Sequence, residues 1–119
     1  MRTFTGARSY SPALLLGLGA VLAVAAFQLW VTPRNPPGYH RDEAALSLNA
    51  YTIETSGRDQ DGAVMPLFFR SYGDYKSPLY PYALAGIFRV TGPHARVARV
   101  FSAVLGLFAV LLLGLLAWR

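Results

Sequence analysis

The sequence predicts an all-α membrane protein, with two transmembrane helices joined by a mostly helical extracytoplasmic loop. Three observations predict it. Two long apolar runs carry no charge, all six acidic residues lie between them, and proline and glycine punctuate the connecting segment. Of the 119 residues, 54% are hydrophobic and 14% charged, with a mean hydropathy of +0.34, whereas soluble domains carry about 25% charged residues. Cysteine is absent, which excludes a disulfide framework, a thiolate metal site and cysteine redox chemistry.

Residues 1–11, with Arg2 and Arg8, read as a basic cytoplasmic tail. From Ser9 to Pro33 run 25 residues without a charge, and Gln28 is the one polar side chain between Ala13 and Val31. About 20 helical residues cross the hydrocarbon at 1.5 Å each, so residues 12–32 form the first transmembrane helix. Trp30 marks one interface, and Pro33, Pro36, Pro37 and Gly38 force an extended exit. A cleaved signal peptide is the rival reading, because Ala23-Val24-Ala25 offers a small-residue cleavage site. The apolar run continues through Trp30 and Val31, which favours a retained anchor.

Residues 93–119 form the second transmembrane helix with its outer extension. Val100 to Trp118 are 19 uncharged residues, and Pro93 after Gly92 suits a first helical position. With Arg2 and Arg8 before one run and Arg119 after the other, the positive-inside rule places both termini in the cytoplasm of a multi-pass inner-membrane protein. Residues 33–92 then lie outside. The net charge of +5 and pI near 10.0 come partly from these flanks. They favour contact with membrane lipid over nucleic acid, which needs a basic face.

Three pieces make up the outer segment. Asp42 to about Thr55 reads as a helix, with an acid at its start and Gly57 after its end. Gly57 to Pro78 reads as loop. Leu79 to Val90 is apolar but too short to span, and Tyr75, Tyr80 and Tyr82 suit a headgroup boundary, so it is placed flat on the outer surface as a juxtamembrane helix.

Chemistry concentrates at Asp42-Glu43 and Lys76. A carboxylate at a helix start is stabilised as the anion by free N–H groups and the helix dipole, and such an acid serves either as a cap or as a base. Lys76, the only lysine, lies between Tyr75 and the Ser77-Pro78 bend. It suits a lipid phosphate or simple snorkelling equally in type. Arg96 and Arg99 share one face near the start of the second spanning helix, where a cation opposes the dipole and calls for an anion. Asp59-Gln60-Asp61 matches a D-x-D metal pattern, but Asp61-Gly62 is also an ordinary turn. His40 and His94 are too far apart in sequence for a zinc pair. No metal ligand is assigned, no cofactor is established, and divalent-metal use stays open. The chain has no Gly-rich phosphate loop, G-x-S-x-G or Cys nucleophile.

The order of P-P…D-E, A…N-A-Y, G-R-D…G…P-L-F-F, Y-K-S-P-L-Y and a closing A-R…S-A-x-x-G, over about residues 12–118, resembles the N-terminal part of GT-C class membrane glycosyltransferases. That class includes the glycosyltransferase family 39-like protein O-mannosyltransferases and the aminoarabinose transferases. The resemblance implies inverting transfer of a hexosyl or pentosyl group from a polyprenyl-phosphate-linked donor to an acceptor hydroxyl on the outer face. It makes Asp42 the catalytic base and Glu43 its assistant. Lys76 becomes the cation facing the lipid phosphate, Arg99 a second candidate for that contact, and Tyr75 part of the substrate-binding set. Such enzymes are larger helical bundles, so this chain is expected to be an N-terminal fragment, inactive alone, partnered by the remaining helices of the same enzyme or another membrane chain. The alternative is a non-enzymatic two-helix membrane protein whose outer loop binds a partner protein or lipid. The transferase mechanism requires Asp42 and Lys76 to meet in one cleft.

Overall fold

A computed structural model describes residues 12–35 and 37–117. The basic tail with Arg2 and Arg8, Pro36, and Trp118 with Arg119 lie outside the described residues. The order of elements is α1 (Pro12–Val31), α2 (Arg41–Ser56), β1 (Phe69–Ser71), β2 (Asp74–Lys76), α3 (Leu79–Thr91) and α4 (Ala95–Ala117). The chain is mostly helical, as expected.

α1 is apolar around its circumference apart from Gln28, and α4 is so from Val100 onward apart from Ser102. Among the described residues, α4 is long and apolar enough to cross a membrane, while the apolar stretch of α1 from Leu15 to Val31 is shorter. Large hydrophobic side chains stay exposed along both, including Leu16, Leu22, Leu113 and Leu116, which water would penalise at about 25 cal/mol per Å². At the end of α1, the Arg34 guanidinium lies 5.5 Å from the Trp30 ring centroid and donates to the Trp30 carbonyl oxygen. A cation on the face of an indole is itself a stabilising contact.

The segment between α1 and α4 packs around a small core. Ala50 and Ile53 of α2 meet Leu84, Ala85 and Phe88 of α3, with Phe69 of β1 and Ala98 of α4 closing the cluster. Gly57 ends α2 at φ 68 and donates its N–H to Ile53, the left-handed stop that glycine makes without strain. Asn49, almost fully buried, donates to the Ala45 carbonyl at 2.9 Å and accepts from the Gln60 N–H at 3.1 Å. It thereby staples the following loop to α2.

Four points correct or extend the expectations. The segment 57–78 is not all loop: β1 and β2 form an antiparallel hairpin pairing Phe69 with Lys76, Arg70 with Tyr75 and Ser71 with Asp74. Its two-residue turn holds Tyr72 at φ 51 and Gly73 at φ 85, the left-handed pair that matches the twist of a tight hairpin. Next, α4 starts at Ala95 and not Pro93, because the first carbonyl to accept helical N–H groups is that of His94, from Val97 and Ala98, which makes His94 the residue before the helix. Third, the tyrosine hydroxyls of α3 bond within the chain, a tie that the sequence pattern does not signal. Tyr80 OH lies 3.2 Å from the Ala98 carbonyl and 2.8 Å from Ser102 Oγ, and Tyr82 OH donates to the Pro66 carbonyl at 2.8 Å. Those bonds tie α3 to α4 and to the loop beneath it. Fourth, the N-cap of α2 is His40 and not an acid, which leaves Asp42 free for another role.

Candidate functional site

The start of α2 and the hairpin form opposite walls of a cleft of about 430 Å³. His40, Arg41 and Asp42 line one side, and Ser71, Tyr72, Asp74 and Lys76 the other. Alternation along a strand decides which hairpin residues reach it. Ser71, Asp74 and Lys76 fall on one face of the ribbon with Phe69, while Arg70 and Tyr75 fall on the other. Tyr75, expected among the substrate contacts, is therefore on the wrong face and does not line the cleft.

The structure brings Asp42 and Lys76 together. Lys76 Nζ is 3.7 Å from Asp42 Oδ1 and 3.1 Å from Asp74 Oδ2, so one ammonium bridges two carboxylates. Its hydrogen bond to Asp74, followed by the charges of Asp74 and Asp42, raises the Lys76 pKa and keeps the amine positive at neutral pH. The same bond, aided by the Tyr75 backbone N–H, lowers that of Asp74. Among the described residues no backbone N–H donates to the Asp42 carboxylate, and its side chain is 58% exposed, so it remains open to a ligand.

Glu43 points elsewhere. Arg99 of α4 reaches it side-on, with Nε 2.6 Å from Oε1 and Nη2 3.1 Å from Oε2, and Nη2 also donates to the Gly38 carbonyl. The His40 backbone N–H donates to Oε2 at 3.3 Å, half of a capping box. The guanidinium holds the Glu43 carboxyl below the usual glutamate range, against the opposing effect of burial. Arg99 thus spends its donors on α2 and on the segment after α1, and it braces the first turn of α2, which carries Asp42.

Two cleft groups carried no sequence signal. Arg41 lies with its guanidinium 4.2 Å from the Tyr72 ring centroid, which adds a second cation to the pocket. Ser71 is 2% exposed, and among the described residues its Oγ has no hydrogen-bond partner. A buried hydroxyl without a partner costs on the order of 1–3 kcal/mol, an imbalance that a polar ligand or water in the cleft removes.

The D-x-D acids take the turn role. Asp59 Oδ1 accepts the N–H groups of Asp61 at 3.0 Å and Ala63 at 2.7 Å, closing a loop on itself. Among the described residues, no group of three or more metal-ligating acids or histidines comes together. No protein-family model, curated protein or solved structure matches the chain, and its function is read from the chemistry of this cleft.

Proposed function

We propose that this chain carries the catalytic loop of a membrane glycosyltransferase of the GT-C kind, moving a sugar from a polyprenyl-phosphate donor to an acceptor hydroxyl at the outer membrane face. The observation that carries the reading is the 3.7 Å approach of Lys76 to Asp42 within one open polar cleft. In this reading α1 and α4 both span, and residues 33–92 lie outside. Their exposed apolar surfaces and the basic flanks of the sequence support that topology.

The chemistry needs few groups. Asp42 accepts the proton of the acceptor hydroxyl as its oxygen attacks the anomeric carbon and the bond to the phosphate oxygen breaks on the opposite face, inverting the centre. The departing phosphate takes the electron pair, and the ammonium of Lys76, with Arg41 beside it, stabilises the charge that develops there. Glu43 and Arg99 position Asp42 without touching substrate. The cleft is open, so further helices of the enzyme complete the walls around the polyprenyl chain and the acceptor.

The test uses the protein in its native membranes, supplied with polyprenyl-phosphate hexoses and pentoses in turn. Asp42→Asn lowers transfer by about 10³-fold, within the span of general-base contributions, and leaves retention of undecaprenyl phosphate within about twofold. Lys76→Ala weakens that retention by about tenfold, the loss of one charge contact to the phosphate. Turnover of Asp42→Asn near that of the natural protein removes Asp42 as the base. Undiminished retention by Lys76→Ala removes the lysine from the donor site.

A further inference from the structure

We propose that the groove between α3 and α4 binds an anionic phospholipid, its phosphate on Arg96 and an acyl chain along the apolar walls. This rests on the reading that α4 crosses the membrane and is independent of sugar transfer. The groove encloses about 370 Å³. Ile87 and Thr91 of α3 line it with Val97, Val100 and Val104 of α4, and Arg96 in the first turn of α4 stands at its end. Thr91 contributes its methyl, because its hydroxyl donates to the Ile87 carbonyl at 3.0 Å. From Arg96 to Val104 the helix rises about 12 Å, so the apolar wall runs from the cation towards the hydrocarbon.

Two arginines three residues apart have opposite surroundings. Arg99 is buried and held by Glu43 and Gly38. Arg96 is exposed and, among the described residues, has no carboxylate partner. A cation in the first turn opposes the helix dipole, and on the outer side of a membrane it gains nothing from the positive-inside bias. Charge complementarity therefore points to an anion. A protein helix laid in the groove would desolvate the guanidinium with no counter-charge. A free phosphate ion would leave the apolar walls wet. A phospholipid satisfies both ends, because its phosphate sits at headgroup depth while its chain enters the groove.

The experiment is native mass spectrometry of the purified full chain in detergent with equal amounts of phosphatidylglycerol and phosphatidylcholine of the same acyl length. Phosphatidylglycerol is retained about tenfold over phosphatidylcholine, one charge contact's worth. Arg96→Gln brings that ratio to about one, and Val100→Trp, which fills the groove and spares the charge, lowers retention of both lipids. Circular dichroism of both variants matches that of the parent. Equal retention of the two lipids by the parent, or a preference that survives Arg96→Gln, overturns the proposal. Displacement of phosphatidylglycerol by millimolar inorganic phosphate overturns it in favour of a bare anion site. Capture of a protein helix rather than lipid by a photoreactive group in place of Val100, in native membranes, also overturns it. The lipid ratio is read with no sugar donor present, so the lipid groove and the transfer cleft stand or fall separately.

Discussion

Asp42 and Glu43 are neighbours in the first turn of α2, yet their ion pairs differ in almost every physical respect. The pair of Glu43 with Arg99 is short, doubly hydrogen-bonded and largely shielded, with side-chain exposures of 20% and 10%. The pair of Asp42 with Lys76 is longer, more exposed and shared with Asp74. A shielded bidentate pair holds structure, whereas an exposed and divided one contributes little to stability and can exchange its partner for a ligand. One helical turn therefore separates bracing from chemistry, by pointing consecutive side chains in different directions.

The sharpest attempt to break this contrast is to exchange the two readouts. Asp42→Asn should leave the melting temperature in detergent unchanged while costing transfer its 10³-fold. A melting point that falls with it would make Asp42 structural and erase the distinction. Glu43→Ala should do the reverse first, losing about 2–3 kcal/mol of stability as charged hydrogen bonds are removed, with activity following the fold. Denaturant unfolding of the segment between α1 and α4 measures it.

Acid probes the same pair more gently. Because the Glu43 carboxyl titrates lower in the folded chain than its ordinary value of 4.5, the stability it confers is complete above about pH 4.5 and is lost as pH falls through the depressed folded value. The natural chain and Glu43→Gln should therefore differ in melting temperature at pH 7, and the gap should narrow as pH falls below 4.5. A gap that stays constant through acid would mean that the tie is not electrostatic. The smallest effect belongs to the hairpin turn. Tyr72→Asn removes the ring beneath Arg41 but suits a left-handed backbone better, and the two changes should cancel to within about 1 kcal/mol.

The elements most visible in the sequence were those set by local pattern. The uninterrupted apolar runs placed α1 and α4, and Gly57 marked the end of α2 because a left-handed stop has a residue signature. The hairpin escaped because its strands are three residues long and its turn carries tyrosine where asparagine or aspartate would have signalled it. Asp42 and Lys76 stood out as an acid opening a helix and a solitary lysine, and their 34-residue separation is bridged by the fold. The assignment of Arg99 to substrate reflected a limit of one-dimensional reading: its partner Glu43 lies 56 residues away, and no local rule links them. Ser71 and Arg41 became notable only through burial and stacking, which a string of letters does not carry.

The bond of Arg99 to Glu43 has a mechanical side. Arg99 lies near the N-terminal end of α4, so a change in the tilt of that helix displaces the guanidinium and with it the turn that carries Asp42. Helices that span a bilayer tilt to match its thickness. On the proposed reading that α4 spans, a thicker or thinner membrane would reset the geometry of the Asp42 carboxylate, making lipid composition a tuning knob on that turn.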